Sequence, residues 1–391
     1  MEPNKRVIII GAVALGPKVA CRLKRLRPDF EVTMVDQGEH ISYGGCGIPY
    51  YISGDLSDIK ELMSTSFHML RTPEFFETAK DVRVKTRTRA LAIDRRNRQV
   101  RVLDLASGRE ENLPYDHLVL ATGSRPRPLA VPGADLPGVM NVSSLPAAMA
   151  VRDKIARGEV SRAVIIGAGA IGVEMAEAIS DLWGLETTLV EVAPQILPGV
   201  LEPGLARMVA RHLRDKDIAL HLAATVKEIR PHSGADHALE VVTKQEILPA
   251  DLVITAVGAV PNTDLARQAG LKVSAGGGIK VNRRLQTSDP DIYAGGDCID
   301  NRHLITGKPV YFPSGSLANR QGRVIGSNLA GGAATFNGIV GSFTLKAFDI
   351  AIAGTGLNLA TASRAGFEAV GALVIQADRA HFYPTQDLMY L

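Results

Sequence analysis

Residues 42–51 read Ser-Tyr-Gly-Gly-Cys-Gly-Ile-Pro-Tyr-Tyr, with one sulfur, Cys46, among small residues that let other groups approach closely. No second cysteine stands nearby, the other two being Cys21 and Cys298. A lone thiol in such a loop can carry a two-electron cycle either as a mixed disulfide with a small thiol or as a sulfenic acid. Both routes need the thiolate. A free thiol ionises near ~8.5. A helix N-terminus beside it contributes up to about 2 kcal/mol, which predicts a midpoint near ~7. The competing reading is an inert, packed thiol. Cys21, mid-helix among apolar neighbours, and Cys298 both read as packing residues.

Electrons must reach that sulfur, and the flanking sequence supplies dinucleotide-binding units. An apolar β-branched run, Arg6–Ile10, is followed by the turn Gly11-Ala-Val13-Ala14-Leu-Gly16, a helical pattern over 17–27, and a strand, Glu31–Val35, ending at Asp36. In such a βαβ unit the backbone N–H groups at the helix start meet a pyrophosphate and the acid takes ribose hydroxyls. Val13 stands where the middle glycine of GxGxxG is usual. The unit recurs with the full fingerprint: a strand over 163–166, then Gly167, Gly169 and Gly172, a helix over 173–182, and Glu191 after Leu189-Val190. From last glycine to acid the spacing is 20 residues in one unit and 19 in the other. The repeat, more than either motif alone, predicts two dinucleotide sites. Glu191 would repel a 2′-phosphate, and no arginine lies in 192–199 to hold one, so NADH is expected over NADPH.

The remaining pattern fits two such domains. Residues 118–123, Leu-Val-Leu-Ala-Thr122-Gly123, read as a buried strand ending in a tight turn, and Pro126, Pro128, Pro132 and Pro137 mark a linker. Residues 252–258 repeat the theme and end at Gly258. A strand near Ile292 runs into Gly295-Gly296-Asp297, where an acid beside glycines can bond a polyol hydroxyl or simply cap a turn. Residues 313–330 read as a helix whose N-terminal end faces a ligand's negative charge, and 342–353 and 369–377 read as strands. The chain stops at residue 391 inside an apolar run with no turn signal, so the last domain is expected to be incomplete.

The totals agree. At 391 residues two or three domains are expected. A net charge of +3 makes no case for nucleic acid or a membrane surface. Lys5-Arg6 before an apolar run imitates a signal peptide, but the glycine spacing and Pro17-Lys18 argue against one. Three scattered cysteines point to a reducing, cytoplasmic setting with neither a disulfide framework nor a metal site.

These motifs together resemble the flavin- and pyridine-nucleotide-dependent disulfide oxidoreductases, and within them the single-cysteine branch of coenzyme A disulfide reductases, persulfide reductases and NADH oxidases. The resemblance rests on 11–16, Ser42 through Tyr50, Ala121-Thr122-Gly123, 167–174, 293–297 and Ala318-Asn-Arg-Gln-Gly322. It implies an α/β fold with two Rossmann-like domains and a shortened α+β dimerisation domain. FAD would be bound by 1–148 with 278–330 (Gly11, Val13, Ala14, Gly16, Asp36, Thr122, Gly123, Asp297 and Ala318). NAD(P)H would be bound by 149–277 (Gly167, Gly169, Gly172, Glu174, Glu191 and Gly258), with Glu174 beside the nicotinamide. The last domain would be 331–391. Electrons would pass from NADH through FAD to Cys46, and from there to a coenzyme A disulfide, persulfide or similar small disulfide. Lys18, Arg22 and Arg25 fall on one helix face and would suit the phosphates of coenzyme A, the alternative being a solvated basic face. Ser42 and Arg71 are further substrate-side candidates. Tyr383 resembles a tyrosine that reaches the partner subunit's cysteine in a homodimer. Relatives that reduce oxygen or peroxide carry a histidine where Ala14 stands, so an NADH oxidase or peroxidase cycle through a sulfenic acid is the second expectation. A low-turnover flavin-binding redox sensor is the third.

Overall fold

The structure is a computed structural model and describes residues 4–234 and 237–391. The duplication read from the glycines is a duplication of architecture. In the first half a five-stranded parallel sheet has the order Ile292–Ala294, His117–Leu120, Arg6–Ile10, Glu31–Val35, Arg83–Lys85. In the second half the order is Ala219–His221, Glu186–Val190, Arg162–Ile166, Leu252–Thr255, Val139–Met140, again parallel. The central strands Arg6–Ile10 and Arg162–Ile166 are apolar after their first residue, as a parallel sheet covered on both faces requires, and Val7, Ile9, Ile165 and Ile254 are fully buried. Each half also carries a three-stranded antiparallel sheet, Thr88–Asp94 to Glu110–Pro114 and Val226–Pro231 to Ile247–Ala250. Val139–Met140 already lies in the second sheet, ahead of residue 149. No helix among the described residues is long and apolar enough to cross a membrane.

Several boundaries differ from the sequence expectation. The helices start earlier, at Leu15–Leu26 and Ala170–Ser180, because the last glycine of each motif lies inside the first helical turn. The strands expected over 118–123 and 252–258 stop at Leu120 and Thr255, where the chain leaves the sheet for the ligand-facing turns. The single strand expected over 342–353 is a hairpin, Phe343–Ala347 with Ile350–Gly354. Phe348 turns the chain at a φ of 54°, and with no glycine or asparagine there the sequence hid the turn. Of 369–377 only Ile375–Ala377 is strand, paired with Leu388–Tyr390. The helix expected over 313–330 is present as Gly315–Leu329.

That long helix lies against Leu15–Leu26 at close range, and small residues make the approach possible. A Cβ added at Gly322 would stand 2.9 Å from the Lys18 Cβ, and one at Gly326 would stand 2.8 Å from the Arg22 Cβ and 2.9 Å from the Val19 carbonyl. Neither obstacle is a flexible tip. Gly326→Val is therefore expected to force the two helices apart at a cost of about 1–3 kcal/mol, read as a lower midpoint in chemical denaturation. An unchanged midpoint would mean that the helices can separate freely.

Candidate active site

The two glycine turns are built alike. A Cβ at Gly11 would stand 2.1 Å from the Ala121 carbonyl oxygen, and one at Gly167 2.5 Å from that of Ala256. At Gly16 and Gly172 it would stand 2.0 and 1.9 Å from the carbonyl oxygens of Gly11 and Gly167. Only glycine lets strand, turn and helix close on one another there. The acid of each unit ties the turn down. Asp36 accepts the N–H of Ala12 at 2.7 Å and of Gly38 at 2.8 Å, and Glu191 accepts the N–H of Ala168 and of Ala193, both at 2.8 Å. Beyond the role expected from sequence, both carboxylates thus organise the loop before any ribose arrives. Burial pushes the Asp36 carboxyl up against the pull of those two N–H groups.

Elsewhere the glycines face space. A Cβ at Gly45, Gly123 or Gly169 would meet nothing within 4 Å. The Tyr311 hydroxyl is buried beside Ser124 without a well-formed partner. Close-packed turns opening on unfilled room, with a waiting hydroxyl, fit a bound dinucleotide in each half. Gly11, Val13, Ala14, Gly16 and Asp36 would hold the flavin dinucleotide, whose isoalloxazine ring accepts hydride from NAD(P)H and passes the electron pair to sulfur. Asp297 accepts the Ser314 N–H at 3.0 Å and the Ser124 hydroxyl at 3.3 Å. Ala318 is buried in the long helix, its methyl 3.5 Å from where a Gly296 Cβ would lie. Thr122 donates its hydroxyl to the Asn262 carbonyl at 2.7 Å and receives the Asn262 amide at 2.9 Å on its own carbonyl. This bond pair joins the strand ends of the two halves beside Gly123 and Gly258. Asn262 was not a sequence candidate, its one signal being its place after Gly258 and Pro261.

Cys46 lies in a single 3₁₀ turn, Gly45–Gly47, which runs into the short helix Ile48–Ser53. Cys46 is exposed as a residue, although its sulfur is partly covered. The turn is pressed from one side by Leu62, whose δ-carbon would stand 2.3 Å from a Cβ on Gly47, and the Gly44 N–H donates to the Leu62 carbonyl at 2.9 Å. Arg71 braces that loop, donating to the carbonyls of Met63 at 3.1 Å and Leu62 at 3.2 Å. Ser42 is buried with a φ of 51° and donates its N–H to the Ala12 carbonyl at 2.7 Å, which fixes the cysteine loop to the first glycine turn.

The expected lowering of the Cys46 pKa is not met by the chain alone. Crowding around the sulfur raises it first, and the charges of Glu174 and Asp297 raise it further. The helix that follows is only six residues long and has no side-chain cap, so its favourable end is weak against two carboxylates. Glu174 is itself pushed up to about 7, by burial and then by the charge of Glu177. Glu177 is clamped by the C-terminal hairpin, accepting Lys346 Nζ and the Phe348 N–H, both at 2.8 Å. The structure thus gathers Cys46, Glu174 and Asp297, two of which come from different dinucleotide-binding halves.

The other candidates are more dispersed. Lys18 and Arg22 are half-buried along the long helix, where Arg22 donates to Ser327 Oγ at 3.0 Å, while exposed Arg25 donates to the Cys21 carbonyl at 3.0 Å. The basic stripe is therefore partly engaged in packing. Tyr383 is exposed on the C-terminal segment, its ring stacked on Phe382 at 5.1 Å. Gln321 was missed as an individual. Fully buried, it accepts the Gly296 N–H at 2.7 Å and donates to Asn301 Oδ1 at 2.7 Å, fixing the turn that carries Asp297.

The pyridine nucleotide-disulphide oxidoreductase family matches residues 5–319, and the chain belongs to that family. It is an oxidoreductase using FAD and NAD(P)H. An NADH oxidase of Methanocaldococcus jannaschii is 34% identical over 379 residues, covering 97% of this chain and 82% of that one. A CoA-dependent NAD(P)H sulfur oxidoreductase of Pyrococcus abyssi is 34% identical over 384 residues, 98% of this chain and 82% of its own. The solved NAD-dependent persulfide reductase of A. fulgidus superposes with a TM-score of 0.94 at 36% identity, covering 98% of this chain and 70% of that one.

In flavin-free protein, the pH midpoint of Cys46 alkylation, followed by mass spectrometry of its peptide, is expected above the ordinary thiol range. Glu174→Gln is expected to lower it, because Glu174 is ionised at alkaline pH and opposes a second negative charge. An unchanged midpoint would remove Glu174 from the sulfur's surroundings. Glu174 also binds its proton more tightly folded than unfolded. Its contribution is therefore lost as pH rises from about 4.5 to about 7, and the Gln variant is expected to show a flatter stability profile across that window.

Proposed function

We propose that this protein takes electrons from NADH, through FAD, to Cys46 and on to a coenzyme A disulfide, a persulfide or a similar small disulfide. The observation that carries the proposal is one exposed cysteine among Gly44, Gly45 and Gly47, in a loop that Ser42 ties to the first glycine turn and within reach of the charges of Glu174 and Asp297. The Cys46 thiolate attacks one sulfur of the disulfide, forming a mixed disulfide and displacing one thiolate. Two electrons from NADH then cleave that bond, releasing the second thiolate and restoring Cys46, so that one NADH and one proton convert one disulfide into two thiols. Glu174, with a carboxyl ionising near neutrality, is suited to hold the proton a departing thiolate takes. Bound oxidised flavin is the expected source of the thiolate stabilisation that the chain's own carboxylates withhold.

The names of the relatives divide between sulfur reduction and oxygen reduction. Ala14 favours the former. It stands at the N-cap of Leu15–Leu26 with only a methyl group, so it offers no imidazole to assist O–O cleavage. Buried Glu191 supports NADH over NADPH, since a 2′-phosphate there would meet a carboxylate already fixed by two N–H groups. Lys18, Arg22, Arg25 and Arg71 remain the proposed cationic side of a coenzyme A site, Arg25 with the most exposed head. A division into 1–148 with 278–330, 149–277 and 331–391, its first boundary moved ahead of Val139 because that strand joins the second sheet, a homodimer in which Tyr383 meets the partner subunit's thiol, and a reducing cytoplasmic setting complete the proposal. The exposure of Val370, Phe382 and Leu388 supports the homodimer.

Anaerobic stopped-flow spectroscopy tests this directly. NADH-reduced protein, mixed with coenzyme A disulfide or coenzyme A persulfide, is expected to reoxidise rapidly, and Cys46→Ser is expected to abolish the reaction. Reoxidation by peroxide or oxygen alone would transfer the assignment to an oxidase.

A further inference from the structure

In the second half, the hairpin Val226–Pro231 with Leu239–Thr243 closes its last pair at Pro231 and Leu239. Three metal-capable side chains meet around that end: His232, His237 and Glu240. The two imidazoles are stacked, with centroids 3.8 Å apart and planes 19° from parallel. His232 Nδ1 lies 2.9 Å and His237 Nε2 4.0 Å from the same oxygen, Glu240 Oε1. The three donor atoms all fall within 4.8 Å of one another. Ligands around a first-row divalent ion at about 2.0–2.1 Å stand roughly 3.3 Å apart, a value that the two measured separations bracket. The other carboxylate oxygen is engaged by Arg230 Nε at 2.7 Å, and Arg230 in turn lies 3.4 Å from Glu228. Oε1 is therefore the oxygen turned toward the histidines, and the neighbouring guanidinium is balanced by a further carboxylate.

We propose that His232, His237 and Glu240 form a binding site for a borderline divalent cation such as Zn²⁺ or Ni²⁺. Two imidazole nitrogens and one carboxylate oxygen select such ions over Mg²⁺ and Ca²⁺, which prefer all-oxygen sites. Three protein ligands leave a fourth position for water. The ion would tie residue 232 to residues 237–240 beyond the last strand pair. The same hairpin supports the crossing between the two halves, through the Ile229 N–H on the Pro132 carbonyl at 2.9 Å and Leu239 against Gly138. Bound metal would thus stiffen the surface on which the interdomain linker rests.

The test is calorimetric titration of Zn²⁺ and of Ni²⁺ into metal-stripped, FAD-loaded protein, together with Cys46→Ser, His237→Ala and His232→Gln. One saturable equivalent is expected, retained in Cys46→Ser, unaffected by excess Mg²⁺, and weakened at least about tenfold in either histidine variant, since even outer-shell losses cost a metal site that much. Retained FAD in the histidine variants establishes that they are folded. No saturable uptake, uptake indifferent to both histidine variants, or uptake lost only in Cys46→Ser, which would place the metal on the thiol, would each overturn the proposal.

Discussion

The fold of this protein depends on the close approach of backbone to backbone at two pairs of glycines. Where a Cβ would come within about 2 Å of a carbonyl oxygen, at Gly16 and Gly172, the strand, the turn and the helix start can pack as one body. Asp36 and Glu191, at the end of the next strand, then each hold the turn through one N–H, that of Ala12 or Ala168, and fix their own loop through a second, that of Gly38 or Ala193. Charge-assisted bonds of this kind contribute about 1.5–3 kcal/mol apiece, and they are also geometric. They fix the second residue of each glycine turn, Ala12 and Ala168, ahead of the helix start to which a pyrophosphate binds. Ser42, Thr122 and Gln321 extend the same logic outward, each tying a ligand-facing loop to a strand end or glycine turn.

The electrostatics of the redox centre run against the simplest reading of a reactive thiol. Cys46 faces carboxylates from both halves, Glu174 and Asp297, and no cation is among the influences acting on it. The chain's own groups thus raise the pKa of this sulfur, and positive potential from elsewhere would be needed to offset them. Glu174 is tuned in turn from the C-terminal hairpin, through Glu177, Lys346 and the Phe348 N–H. The Lys346–Glu177 pair is half-exposed and worth little as stability, about 0.2–1 kcal/mol. Its consequence is positional, because it fixes where the second carboxylate sits relative to the first.

Much of the organisation was legible in the chain because it is local. The glycines, the acids some 20 residues on, and the β-branched runs between them are short-range requirements of one supersecondary unit, and the unit is present twice. The hairpin over 343–354 was illegible because its turn uses Phe348 at positive φ in place of a turn residue. The stretch over 369–377 has strand-like composition, but only three of its residues found a partner strand. The histidines at 232 and 237 carried no signal either, since the pairing of Pro231 with Leu239 is what brings Glu240 beside them.

The sequence by itself determined the two dinucleotide units, their order and the acid that ends the second strand of each, because each follows from residue type at fixed spacing within one βαβ unit. The tertiary structure alone decided that Glu174 and Asp297 surround Cys46, that Asn262 locks Thr122, and that Arg71 braces a loop through its carbonyls. These groups are separated by tens to hundreds of residues, and burial and charge act through space, so their effect on the sulfur exists only once the chain has brought them together.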